Sequence, residues 1–109
     1  MAIRILIIDD DDVLRDTLKE QFALQEEFVV GEAPTANAGL KQLKAEPADV
    51  VLLDVNLPDM DGREACKAMR RNGHKGPVIM LTGQTSDSDT ILGLDAGAND
   101  YVTKPFRFG

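Results

Sequence analysis

Cysteine, histidine, basic residues and long apolar runs are all scarce in this chain, and each scarcity excludes something. Cys66 is the single cysteine among 109 residues. It cannot close an internal disulfide, which fits a reducing cytoplasm. Its expected place is a small, partly buried position on a helix. No apolar run approaches the roughly 20 residues that a membrane-crossing helix needs. The N-terminus, Met1-Ala2-Ile3-Arg4, leads directly into a strand-like segment. It lacks a charged stretch followed by a cleavable apolar one, so no signal peptide is expected. Lys and Arg number 12 against 19 Asp and Glu, a net charge of −7. That balance disfavours nucleic acid as a direct partner of this segment and suits a site for a cation. The one histidine, His74, falls in Arg71-Asn72-Gly73-His74-Lys75-Gly76, expected to be a solvated loop. Repeats, linkers and low-complexity tracts are absent. With 43% hydrophobic and 28% charged residues, what remains is one globular domain of ordinary composition.

Short apolar runs alternate with helical patterns. The runs are Ile3 to Ile8, Phe28 to Val30, Val50 to Leu53, Val78 to Leu81, and Tyr101-Val102. Three of them are nearly unbroken and rich in β-branched residues, as strands covered on both faces of a parallel sheet are. The second and fifth are shorter and more mixed, which suits edge strands. Four helices are predicted between them. The first runs from Asp12 to Leu24 with Leu14, Leu18 and Phe22 on one face. The second runs from Thr35 to Ala45 with Ala36, Leu40 and Leu43 inward and Pro47 as its stop. The third starts at Asp61, with Glu64 three residues on, and closes at Gly73. The fourth starts near Ser86, with Asp89 three residues on, and stops at a left-handed Gly97. The order βαβαβαβαβ implies right-handed crossovers and a doubly wound α/β sheet. A sheet of this kind needs helices on both faces. The chain ends soon after the fifth run, so the reading is one domain over 1–109 that stops before a last helix. An apolar strip beside the first and fifth strands is expected to be exposed.

Polar residues collect where the apolar runs end. Asp9 and Asp10 follow the first, Asp54 ends the third, Thr82 the fourth and Lys104 the fifth. In open α/β sheets ligands bind beyond the carboxyl ends of the strands, where strand order reverses. An order of 2-1-3-4-5 brings Asp9, Asp10 and Asp54 into one crevice, with Thr82 and Lys104 approaching from the strands beyond. Clustered carboxylates repel unless a cation is present. Oxygen ligands with open positions suit Mg²⁺, an ion often shared with a phosphate. A carboxylate nucleophile can form an acyl phosphate, and the transferred group needs positive charge and hydrogen-bond donors around it. Lys104 offers the charge, Thr82 a hydroxyl, and Asn56, two residues past Asp54, a backbone carbonyl for the metal. Taken singly, these residues have plainer explanations. Asp11 or Asp12 caps a helix, Thr82 ends a strand at a turn, and Lys104 is a solvated lysine. Their joint placement at four strand ends is what favours a site.

The motifs that carry this pattern are Ile5-Leu6-Ile7-Ile8-Asp9-Asp10-Asp11, Leu53-Asp54-Val55-Asn56-Leu57-Pro58-Asp59-Met60-Asp61-Gly62, Met80-Leu81-Thr82-Gly83, and Asp100-Tyr101-Val102-Thr103-Lys104-Pro105-Phe106. Through them the chain resembles the receiver domain of bacterial two-component response regulators, over nearly its whole length. The resemblance implies a flavodoxin-like five-stranded parallel sheet of order 2-1-3-4-5. It implies that Asp54 is phosphorylated by a sensor histidine kinase and that Asp9, Asp10, Asp54 and the Asn56 carbonyl hold Mg²⁺. Thr82 and Lys104 would bind the phosphoryl oxygens, Tyr101 would be the switching aromatic, and the Lys104-Pro105 bond would be cis. It further implies a cytoplasmic phosphoprotein that controls an output domain or downstream partner, with transcription as one such output. Such a domain catalyses only its own phosphorylation and dephosphorylation. Leu57 stands where methionine is commoner. Asn56 and Gln84 occupy positions that tune phosphoryl lifetime. In many relatives a final helix joins the fourth helix and fifth strand in a dimer face; a homodimer is one option for this chain, and no oligomeric state carries over. Two other classes stay open on the residues alone. One is a Mg²⁺-dependent phosphatase with an aspartate nucleophile, although Asp54-Val55-Asn56 lacks its second carboxylate. The other is a receiver-like scaffold that is never phosphorylated, although such scaffolds usually lose an acid or the lysine.

Overall fold

The computed structural model describes residues 2–82 and 97–103, with 100–103 as backbone. The elements are β1 (Ile3–Ile8), α1 (Asp12–Ala23), β2 (Phe28–Ala33), α2 (Ala36–Ala45), β3 (Val50–Asp54), α3 (Gly62–Arg71), β4 (Val78–Thr82) and β5 (Asp100–Thr103). All strand pairs are parallel, in the order β2-β1-β3-β4-β5. The predicted order therefore holds, and β2 and β5 are the edges. The fourth predicted helix lies outside the described residues. Its expected stop, Gly97, does adopt a left-handed φ of 103°.

Alternation along each strand sorts its side chains onto two faces. Leu6, Ile8, Val51, Leu53, Val78 and Met80 face α2 and α3, joined by Ala36, Ala65, Cys66 and Met69. Ile5, Ile7, Leu52 and Leu81 form the other core, under Leu14, Leu18 and Phe22 of α1. Ile7, Ile8 and Leu53 are fully buried, each contributing roughly 1.5–3 kcal/mol relative to exposure. Of the apolar strip expected beside the first and fifth strands, Ile5 and Ile7 of β1 are buried, because the Leu14–Leu18–Phe22 face of α1 lies over them. Ile3 is the one apolar residue of that strand that stays exposed, and the β5 side chains lie outside the described residues.

Helix ends fall where local chemistry puts them. Asp11, Thr35 and Asp61 are the N-caps of α1, α2 and α3, each accepting a backbone N–H of the first turn. Gly73 follows α3 at φ 95°, a conformation that costs other residues a Cβ clash. Strand β2 runs three residues beyond its apolar stretch. Gly31, Glu32 and Ala33 keep pairing with Leu6, Ile7 and Ile8, so main-chain hydrogen bonding sustains an edge that hydropathy does not mark. His74 is half-buried rather than solvated as expected. It lines a cavity of about 130 Å³ between the C-terminal ends of α2 and α3. Burial is the main cause holding its imidazole below the usual histidine range. That cavity lies at the opposite end of the sheet from the carboxylates, and its lining has no acid.

Candidate functional site

The winding reverses between β1 and β3. The chain leaves β1 toward β2 on one side, and β3 opens the other half of the sheet. The register Ile8↔Leu53 is the last β1–β3 pair, so the next residue on each strand is an aspartate, Asp9 and Asp54. Asp9, Asp10 and Asp54 each present a carboxylate oxygen, and these oxygens all lie within 4.8 Å of one another. Asp9 and Asp54 are buried, whereas Asp10 is exposed. The donor set is three hard oxygens open to solvent on one side, which fits a small divalent cation that retains some of its water. Those three residues would hold it.

Local hydrogen bonds set each acid. The Asp9 N–H donates to the Ala33 carbonyl at 3.1 Å, tying the end of β1 to β2. Asp11 N–H donates to Asp9 Oδ1 at 2.9 Å, so the chain turns sharply into α1 with Asp10 at the apex. Asn56 N–H donates to Asp54 Oδ1 at 3.3 Å. The loop after Asp54 is closed by a bridge between Asn56 and Asp61 and by Gly62 N–H to the Val55 carbonyl at 2.7 Å. Asn56 is thereby kept beside the acids. Arg63 pairs with Asp61 at 2.8 Å and holds its carboxyl below the ordinary range. Thr82, the buried last residue of β4, stands one step beyond the Asp54↔Leu81 pair.

Five of the seven expected site residues thus meet at one sheet edge: Asp9, Asp10, Asp54, Asn56 and Thr82. Lys104 lies outside the described residues, as does the Lys104-Pro105 bond. Tyr101 is placed by its backbone, opposite Met80 in β5.

Residues 5–109 match the response regulator receiver domain. The chain belongs to that family. It is 44% identical over 103 residues to the transcriptional regulatory protein CseB of Streptomyces coelicolor, covering 94% of this chain and 43% of that protein. It is 37% identical over 106 residues to the response regulator MprA of Mycobacterium tuberculosis, covering 97% and 46%. The chain therefore spans less than half the length of these relatives. Among solved structures, the chemotaxis protein CheY4 of Vibrio cholerae superposes with a TM-score of 0.92 at 28% identity, over 98% of this chain and 90% of that one. The BeF3-activated DrrB receiver domain superposes with a TM-score of 0.88 at 36% identity, over 98% and 88%.

Three residues of this receiver domain's site escaped the sequence reading. Gly62 packs under Asp54, where a Cβ would stand 2.2 Å from the Asp54 carbonyl oxygen. Asp59 reaches back across the loop and accepts from Ala36 N–H and Asn37 N–H, both at 2.9 Å, as a second cap on α2. Arg15 is buried behind Asp9 and donates to its carbonyl. Arg15 had a legible signal, since 15, 18 and 22 share a helix face and its companions there, Leu18 and Phe22, are apolar. Asp59 had none, because its partners are over twenty residues away in sequence.

Proposed function

We propose that this receiver domain accepts a phosphoryl group on Asp54 from the phosphohistidine of a sensor histidine kinase. The observation that carries the reading is the convergence of Asp9, Asp10 and Asp54 within 4.8 Å at the carboxyl edge of the sheet. An Asp54 carboxylate oxygen attacks phosphorus, the O–P bond forms, and the P–N bond breaks with its electron pair going to the imidazole, which then takes up a proton. The product is an acyl phosphate. Mg²⁺ held by Asp9, Asp10, Asp54 and the Asn56 carbonyl would offset charge on the phosphoryl oxygens. Thr82 would donate its hydroxyl to one of those oxygens, and Lys104, which lies outside the described residues, would supply positive charge. Tyr101, whose backbone lies on the neighbouring strand β5, would be the switching aromatic, as the family resemblance implies.

The chain is a switch and not a metabolic enzyme; it promotes only its own phosphorylation and dephosphorylation. A local change of charge biases a two-state element that a partner reads. Two relatives are named as regulators, one of them transcriptional, which supports an output that controls transcription in the cytoplasm. Nucleic acid contact then belongs to that output and not to this acidic segment. Incubation with Mg²⁺ and acetyl phosphate should add one phosphoryl group by intact mass. Equal labelling of Asp54→Asn would defeat the assignment.

A further inference from the structure

Arg15 is the one buried basic residue among the described residues, at 8% exposed, and the proposed phosphoryl chemistry does not use it. Its guanidinium is spent on three acceptors. Nη1 donates to the Asp9 carbonyl at 2.5 Å, Nε to Glu32 Oε1 at 2.9 Å, and Nη2 to Asp12. Glu32 is held in turn by Lys19. Lys19 and then Arg15 keep the Glu32 carboxyl below the ordinary range. The network therefore spans β2, α1 and the main chain of Asp9.

Stability alone explains this poorly. Burying a charge is costly even when it is paired, and an apolar side chain of similar volume often serves as well or better. What the guanidinium does that an apolar group cannot is occupy the Asp9 carbonyl. With Asp9 N–H on Ala33 and Oδ1 taken by Asp11 N–H, Arg15 completes the immobilisation of the residue. The next residue, Asp10, is the exposed member of the carboxylate cluster, and its position depends on where Asp9 points.

We propose that Arg15 is a positioning residue for the divalent-cation site: it clamps the Asp9 main chain to β2 and thereby strengthens cation binding by Asp9, Asp10 and Asp54. This rests on the cation-assisted reading above. Two effects of Arg15 oppose each other. Its positive charge repels a nearby cation, while its hydrogen bonds preorganise the ligands. Glu32 and Asp12 flank the guanidinium and offset its field, so preorganisation wins.

The test is calorimetric titration of Mg²⁺ at fixed ionic strength into the wild-type chain, Arg15→Lys, Arg15→Gln and Glu32→Gln, each checked for folding. Arg15→Lys keeps the charge and loses the planar fork. It should bind Mg²⁺ about tenfold more weakly, the low end for groups that orient metal ligands. Arg15→Gln should also bind more weakly, whereas a purely electrostatic role requires it to bind more tightly. Glu32→Gln, which leaves the bond to Asp9, should lose less than either. Linkage supplies a check that needs no variant: if the clamp favours the cation, the cation must stabilise the clamp. Mg²⁺ should therefore slow hydrogen exchange of the Arg15 guanidinium in the wild-type chain. Affinity of Arg15→Lys within twofold of wild type, tighter binding by Arg15→Gln, or unchanged guanidinium exchange would overturn the proposal. Absence of any Mg²⁺ binding by the wild-type chain would instead overturn the cation-assisted reading on which it rests.

Discussion

Gly62 lies directly against the main chain of Asp54. A Cβ at position 62 would meet the Asp54 carbonyl oxygen at 2.2 Å and Val55 Cα at 2.8 Å. Both are backbone atoms, so no rotamer change relieves the contact. The first residue of α3 is thus packed onto the last residue of β3, and the short loop between them is drawn into a tight closure by Gly62 N–H on the Val55 carbonyl. The position of Asp54, the proposed phosphoryl acceptor, depends on the absence of a side chain eight residues later.

Gly62→Ala should therefore push α3 away from β3. Overpacking of this kind costs about 1–3 kcal/mol, visible as a lower urea midpoint with an unchanged slope. Phosphoryl uptake by Asp54 from acetyl phosphate should slow as well, because the acceptor oxygen moves. A variant with wild-type midpoint and labelling rate would mean that the helix can slide without consequence.

Asp59 ties the same loop to α2. Desolvation alone would raise its pKa, but N–H donation from Asn37 and Ala36 outweighs it and holds the carboxyl below its ordinary range. A carboxyl lowered on folding contributes stability above its unfolded pKa and loses it as pH falls through the folded value. Asp59→Ala should cost about 1 kcal/mol near neutral pH, the usual loss for a cap. The gap to wild type should narrow below about pH 4, where the acid protonates. Denaturant curves at pH 7 and pH 3 check this; an equal gap at both would remove the charge from the explanation.

Much of this architecture can be read from apolar runs. Val50 to Leu53 and Val78 to Leu81 have no partner in the sequence other than a covered sheet, and their terminal Asp54 and Thr82 inherit their place from it. Residues that act across the chain were harder to see. Glu32 looks like a polar break after Phe28-Val29-Val30, yet its backbone pairs with Ile7 and its side chain reaches Arg15. His74 looks solvated in a run of Gly, Lys and Asn, yet the ends of α2 and α3 close around it. Local composition reports what a residue prefers, and these positions are decided by what the sheet order brings beside them.

Cys66 gives a direct view of opening. It is fully buried in the core shared by α3 and the sheet, and desolvation pushes its thiol pKa up. A group raised on folding contributes stability below its unfolded pKa and loses it as pH rises through the folded value, so the chain should weaken in mild alkali. A disulfide reagent at pH 8 should modify Cys66 only as fast as the chain opens. Saturating Mg²⁺ should slow that labelling, since a ligand of the folded state suppresses opening. Rapid labelling of the folded chain, indifferent to Mg²⁺, would show that the α3 face opens independently of the site.

The carboxylate cluster itself makes the last test. Asp9, Asp10 and Asp54 bring their oxygens within 4.8 Å, a separation at which like charges repel measurably even near solvent. Asp10 is the exposed member of the set, so replacing it disturbs packing least. Asp10→Asn should melt a few degrees higher than wild type without metal, because one repulsion is gone. With Mg²⁺ the order should reverse. The wild-type chain gains about 2.7 kcal/mol when the ion is present at a hundred times its dissociation constant, and the variant, short of a charged ligand, gains little. Melting curves in chelator and in Mg²⁺ give all four values. If Mg²⁺ raises both proteins equally, the ion binds elsewhere and Asp10 is not among its ligands.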